Sequence, residues 1–365
     1  MSKQFSRRDM MRGMVSGAVS LAFAPTIFAQ HGPPPGKIAL RFNENPYGPS
    51  ASALKAAADA TAMGAYYPTS INDDLLGAIA DKNGLALDNM VLSSGSNEAL
   101  QAAFVAWGKK GKIVLPELTY SDHLDYARRM GVELVGVPLG KDMSIDLDRI
   151  AAAVDDSVSL VYICNPNNPT GMTLDGDKLR DFCRTVGRKA VVLIDEAYNE
   201  LTNKPDYTSM VDLVREDENV IVMRTFSKIF GMAGMRVGYG MARPDLASTI
   251  AGYVMAWPNG AGMAAAYASY TDNEFIGFSR AKILEGREMV NATFRKNGIE
   301  PLPSQGNFVY ADIGRNATEF QKLMNARNIL IRGSFEGYPN YSRVSMGKLE
   351  DLEVFDRVFT EVYNA

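Results

Sequence analysis

Seven short apolar runs recur through the middle of the chain: Met90 to Ser94, Lys112 to Leu115, Val132 to Pro138, Ser159 to Asn165, Ala190 to Ile194, Val220 to Arg224 and Val237 to Met241. Runs of this length that end in Gly, Pro, Asn or Asp read as strands. Between several of them the apolar spacing changes to that of helices, as over Leu179 to Gly187 and from Gly95 to about Trp107. This alternation predicts an α/β fold with a mostly parallel sheet. Ahead of it lie an extended arm from Leu40 to Pro49, where Asn43, Asn45, Pro46 and Gly48 resist helix, and an alanine-rich helix over Ser52 to Ala62. From about Ala261 the pattern changes. A long helix (Asn273 to Asn297), a strand (Gly306 to Asp312), a helix (Thr318 to Arg327), short strands at Ile329 to Arg332 and Tyr341 to Ser345, and a closing helix (Leu349 to Tyr363) predict a smaller α+β domain on an antiparallel sheet. The expected division is a linker and arm over 30–48, a large domain over 49–260 and a small one over 261–365.

Composition narrows the chemistry. With 365 residues, 46% apolar and 22% charged, the chain can bury a large core. A net charge of −4 without a Lys/Arg block argues against nucleic acid as a partner. His31, His123, Cys164 and Cys183 are too few for a usual zinc site, and no CxxC or HExxH spacing exists, so no metal is expected. His123 reads as a polar surface residue, while Cys164 falls in a strand that should bury it. Residues 1–29 read as a targeting segment. Ser6-Arg7-Arg8-Asp9-Met10-Met11 precedes a Gly/Ala-rich apolar run from Gly13 to Ala29, which resembles a twin-arginine export signal cleaved after Ala29. A retained anchor or an amphipathic helix is the other reading, and Pro25 and the shortness of the run count against a spanning helix. Without its four basic residues and one acidic residue the chain carries −7. The product is expected to be periplasmic or secreted, meeting the membrane only during export.

Three stretches carry candidate chemistry. Met223 to Gly240 places Ser227 and Lys228 at a strand exit, with Arg236 eight positions after Lys228. Desolvation or neighbouring positive charge makes a lysine amine nucleophilic and able to form a Schiff base with a carbonyl. Ala190 to Tyr198 ends a buried strand in Asp195, where ligands sit in doubly wound sheets, and presents Tyr198 three residues later. Leu160 to Gly171 ends another strand in the rigid turn Asn165-Pro166-Asn167-Asn168-Pro169. Any one of these is an ordinary strand terminus by itself. Their ordered combination points to one site. The amino end of the helix opened by Gly95-Ser96-Asn97-Glu98 adds unpaired N–H groups suited to phosphate, and Ser96 and Asn97 also suit an N-cap.

On the residues Asn43 to Pro49 (NENPYGP), Tyr66 to Pro68 (YYP), Ser94 to Glu98 (SGSNE), Asn167 to Gly171 (NNPTG), Asp195 to Tyr198 (DEAY), Thr225 to Lys228 (TFSK), Arg236 and Ser342 to Gly347 (SRVSMG), the chain from about residue 38 onward resembles the fold-type-I pyridoxal-phosphate enzymes. Within them it resembles the class I/II aminotransferases of the histidinol-phosphate aminotransferase group. The resemblance implies a seven-stranded, mostly parallel sheet in the large domain and pyridoxal 5'-phosphate as cofactor. It implies that Lys228 holds the cofactor as a Schiff base and moves the proton, and that Asp195 keeps the cofactor ring nitrogen protonated. Tyr198 and Asn168 would meet the phenolate oxygen, and Gly95, Ser96, Asn97, Ser227 and Arg236 the phosphate. Tyr120 would stack on the ring, Arg343 and Arg332 would bind the substrate carboxylate, and Asn168 and Tyr47 would also meet substrate. Tyr67 would cross a homodimer interface to the neighbouring cofactor. For Tyr47, Tyr67, Tyr120 and Arg332 the residues alone also allow plain packing or surface roles.

The resemblance implies transfer of an amino group between an amino acid, or a histidinol-phosphate-like amine, and a 2-oxo acid. Two alternatives stand beside it: decarboxylation of the threonine-phosphate decarboxylase type, and non-catalytic binding of the cofactor or of amines. Export suits an enzyme that takes up its cofactor in the cytoplasm and leaves folded. Histidine biosynthesis is cytoplasmic, so the substrate is expected to be an amino acid of unassigned identity.

Overall fold

Strands of consecutive Val, Ile and Leu have no polar face to offer water, and the structure covers both faces of them with helices. The computed structural model describes residues 32–365; the twin-arginine reading of 1–29 and His31 fall outside the described residues. A short strand, β1 (Ile38–Leu40), precedes the main sheet. That sheet comprises β2 (Met90–Ser93), β3 (Lys112–Pro116), β4 (Leu134–Val137), β5 (Val158–Cys164), β6 (Val191–Asp195), β7 (Val220–Thr225) and β8 (Gly238–Ala242), in the order β2-β8-β7-β6-β5-β3-β4. β8 runs antiparallel to β2 and β7, and the remaining pairs are parallel. The seven-stranded, mostly parallel sheet is therefore as expected.

The chain order turns at β3. β4 lies on one side of it and β5, β6 and β7 follow on the other, so a crevice opens beyond the carboxyl ends of these strands. Register aligns the strand ends: Cys164 pairs with Asp195, and Asp195 with Met223. Phe104, Trp107, Leu160, Tyr162, Leu193, Ile221 and Met223 share the core on one face of the sheet, with the helix Ser96–Gly108 supplying the first two. Each such side chain is worth about 1.5–3 kcal/mol of burial, so the sheet is held by its faces and its tips are left to carry chemistry.

Past the main sheet, β9 (Phe308–Asp312) pairs antiparallel with β11 (Tyr341–Ser345), and β10 (Ile329–Ile331) ends where Arg332 bridges Arg343. The helices Asn273–Lys296, Ala317–Ala326 and Leu349–Tyr363 lie within a residue of their expected spans. Asp272 sets the first by accepting the N–H of Phe275 at 2.9 Å, the side-chain cap that an Asp before a helix provides. The helix Gly260–Tyr270 straddles the expected boundary at 261 and packs on the helices Ala51–Thr61 and Thr69–Asn83.

After β3 the chain turns over Ser121 to His123, and a helix begins at Leu124. One local expectation changes in that turn. His123 is fully buried rather than on the surface, its ring edge-on to Phe104 at 4.5 Å and to Tyr162 at 5.0 Å, with neither ring nitrogen hydrogen-bonded. Desolvation lowers its pKa to about 3, so the ring is neutral. Both cysteines are buried free thiols, as expected for Cys164.

Candidate active site

The turns after β3, β5, β6 and β7 bring their side chains to one cavity of about 250 Å³. Lys228, three residues past the end of β7, donates from Nζ to the backbone carbonyl of Asn43 at 3.2 Å and lies over the Tyr198 ring at 5.4 Å. Burial and then the nearby Arg343 guanidinium lower its pKa to about 8, which raises the neutral, nucleophilic share of the amine at pH 7 to about a tenth. Asp195, the last residue of β6, accepts from the Tyr162 hydroxyl at 3.2 Å and from the Ala197 N–H at 3.1 Å. Its burial raises the carboxyl to about pH 6 against those two donors. Tyr198 receives the amides of Asn43 at 3.0 Å and Asn168 at 3.5 Å on its hydroxyl.

One end of the cavity is an anion cradle. Ser96 and Asn97 open the helix Ser96–Gly108, whose unpaired N–H groups carry partial positive charge. Arg236 donates to Ser227 Oγ at 3.5 Å and to the Ala233 carbonyl at 3.0 Å. Gly95 has a φ of +79°, and a Cβ there would meet Arg236 Nη2. Only glycine lets this guanidinium lie against the helix end. Arg343 marks the substrate side: Nη1 donates to Asn168 Oδ1 at 2.6 Å, Nη2 to the Arg41 carbonyl at 2.8 Å, and Nε has no partner. Burial lowers its pKa to about 10. Arg332 lines the same wall, its guanidinium 5.3 Å from the Phe335 ring centroid.

Of the expected residues, Ser96, Asn97, Tyr120, Asn168, Asp195, Tyr198, Ser227, Lys228, Arg236, Arg332 and Arg343 line this one cavity, with Gly95 directly behind the guanidinium. Tyr120 turns its hydroxyl to Asp122 at 3.1 Å. Tyr47 stands apart from the lining, its hydroxyl accepting the Leu349 N–H at 3.0 Å and its ring edge-on to Phe278 at 5.6 Å. Tyr67 is 87% exposed and stands edge-on to Trp257 at 6.4 Å. Phe42, Asn43, Asp122 and Phe335 also line the cavity. Asn43 lay in the NENPYGP stretch, whose helix-resisting composition marked an arm without indicating what the asparagine touches.

The cavity presents a cationic cradle, a carboxylate with a raised pKa and a primary amine with no carboxylate partner, three groups that suit a phosphorylated aromatic aldehyde. The sequence model of the family aminotransferase class I and II matches residues 35–358. Histidinol-phosphate aminotransferases from Symbiobacterium thermophilum and Brevibacillus brevis are 36% and 32% identical over 334 and 330 residues, covering 90% and 89% of this chain and 90% of each relative. The crystal structure of histidinol-phosphate aminotransferase from Sinorhizobium meliloti in complex with pyridoxal-5'-phosphate is similar with a TM-score of 0.79 at 26% identity, covering 93% of this chain and 97% of that one. The chain belongs to the class I and II aminotransferases.

Proposed function

We propose that the protein is a pyridoxal-phosphate-dependent transaminase that moves an amino group between an amino acid, or an amine resembling histidinol phosphate, and a 2-oxo acid. The observation that carries this is Lys228: a buried amine held neutral enough to attack a carbonyl, in one cavity with Asp195 and the Arg236 cradle. The residues fit the cofactor chemically, because the cradle offers donors and a guanidinium for a dianion while Asp195 supplies the one buried carboxylate lining the cavity. When bound, pyridoxal phosphate supplies an electron sink for the pair left at the substrate α-carbon.

The chain's own part is to bind, orient and move a proton. Ser96, Asn97, Ser227 and Arg236 hold the phosphate. Asp195, ionised at neutral pH, would keep the cofactor's basic nitrogen protonated. Tyr198 and Asn168 present hydrogen-bonding groups to the cavity, and Arg343 with Arg332 takes the substrate carboxylate, the planar fork of Arg343 setting its angle. Lys228 Nζ would carry the α-proton, taking it as general base and giving it back as general acid.

Two further readings belong to the same proposal. The protein acts as a homodimer in which Tyr67 serves the neighbouring site; Tyr66, Tyr67, Met255 and Trp257 are exposed, an apolar set that supports an interface. Residues 1–29 direct twin-arginine export to the periplasm or beyond, on the support of Arg7-Arg8 and the apolar run after them.

The test is to add pyridoxal phosphate, reduce with borohydride and map the labelled peptide, then to screen amino acids for 2-oxo acid release with histidinol phosphate included. Label on Lys228 and oxo-acid release are expected. Carbon dioxide in place of the oxo acid would reassign the reaction to decarboxylation, and label on any other lysine would remove Lys228 from its role.

A further inference from the structure

The arm that carries Asn43 is anchored on both sides of the cavity. Asn43 is 1% exposed and has a φ of 54°, a left-handed conformation that among side-chain-bearing residues asparagine tolerates best. Its backbone N–H donates to Ser345 Oγ at 2.8 Å, and the same hydroxyl donates to Asn43 Oδ1 at 2.7 Å. That exchange occupies the amide oxygen and turns Nδ2 to the Tyr198 hydroxyl at 3.0 Å. Its carbonyl accepts Lys228 Nζ at 3.2 Å and Asn307 Nδ2 at 2.9 Å. One buried residue therefore touches both the amine and the phenol of the proposed chemistry.

We propose that Asn43 is a positioning residue of the transaminase: its side-chain amide sets the direction of the Tyr198 hydrogen bond, and its carbonyl holds Lys228 Nζ when the amine is not engaged. This rests on the reading above. Because the Tyr198 oxygen already accepts two amide donors, its own hydrogen is the one left to point into the cavity. A carboxylate at position 43 would accept that hydrogen instead and reverse the bond at almost unchanged size. The Lys228 contact runs through a backbone atom, so it survives a change of side chain as long as the left-handed turn survives. Asparagine, aspartate and glycine all accept that turn, and alanine does so poorly.

Asn43→Asp, Tyr198→Phe and the double variant form the test, read by kinetics and by pH titration of the visible absorption of the bound cofactor. Asn43→Asp is expected to lower kcat by about tenfold to a hundredfold while KM for the amino acid stays within about threefold, the pattern of lost orientation rather than lost binding. It should also move the midpoint of the absorption titration. In the Tyr198→Phe background the same substitution should change kcat less than about twofold and leave the midpoint in place, because the group it acts through is gone. Should Asn43→Asp fail to fold, Asn43→Gly keeps the turn, removes the amide and enters the same cycle with the same expected non-additivity. Additive effects, or an unmoved titration in both variants, would overturn the role of Asn43 while leaving a borohydride-labelled Lys228 and the transaminase reading standing. An unlabelled Lys228 in the unaltered protein would overturn both.

Discussion

In the cavity between Lys82, Arg180, Arg215 and Arg224, about 450 Å³ in volume, every cation is engaged. Arg180 meets Asp212, Arg224 meets Glu196 at 2.8 Å, Arg215 donates to the Asn83 carbonyl at 2.9 Å, and Lys82 sits over the Tyr270 ring at 4.5 Å. In the smaller cavity around Lys228, none of Lys228, Arg236, Arg332 and Arg343 has a carboxylate within 4.0 Å among the described residues. Both cavities are polar and carry four cations. They differ in how the cations are met before any ligand arrives: two of the four in the first cavity face carboxylates, and none of the four in the second does. A cation paired with a carboxylate holds the fold together, whereas a desolvated one without a carboxylate, such as Arg343, is poised for an anion or, as at Lys228, for loss of its proton. Volume alone would have selected the wrong site.

The largest expected effect breaks this comparison at its centre. Lys228→Ala should lower transamination by at least about a thousandfold, since it removes nucleophile and proton carrier together. Cofactor-free folding, measured by thermal melting, should be retained or improved, because the amine is buried without a carboxylate. Activity near that of the unaltered protein would place the chemistry elsewhere. In the other cavity the consequence is opposite in kind. Arg224→Ala leaves Glu196, 0% exposed at its side chain, without the guanidinium that faces it, and breaking a buried pair from one side costs about 3–5 kcal/mol. Urea titration should show that loss of stability, while kcat of the folded fraction, read with saturating cofactor, should fall less than about tenfold. An unchanged midpoint would show that Glu196 is sufficiently held by Ser209 and Met210 alone.

What could be read from residues follows the same division. The strand tips were legible, because Asp195 ends one apolar run and Lys228 follows another by three residues, and their hydrophobicity fixes where the sheet stops and the crevice begins. The seven strands and the closing helices were legible for the same reason of periodicity. Contacts between segments hundreds of residues apart were not. Asn43 reaches Ser345 across a separation of 302 positions, and nothing in either local pattern reports on it. His123 misled because a lone histidine usually prefers water, yet here aromatic walls bury it with both nitrogens unsatisfied. Tyr47 shares its motif with Asn43 but spends its hydroxyl on Leu349, a partner only the folded chain supplies.

The finest distinction between the two cavities concerns Asp195, a buried carboxylate with no guanidinium facing it, where Glu196 beside it has Arg224. Burial raises Asp195 from 3.8 to about 6, so above pH 6 both folded and unfolded chains carry the charge and the folded one bears the loss of hydration. Asp195→Asn should therefore stabilise the cofactor-free protein at neutral pH by up to about 3 kcal/mol, at 1.36 kcal/mol per pH unit between the two values. As pH falls from about 6 toward 3.8 the folded state takes up its proton before the unfolded state does, and the advantage of the asparagine should shrink through that window. Thermal melts of both proteins across pH 4–8 read this directly, and the same substitution should reduce turnover because the ring nitrogen loses its ionised partner. A variant less stable than the original at pH 7 would mean that the donors from Tyr162 and Ala197 outweigh burial, and that this carboxylate is held as securely as the paired one next to it.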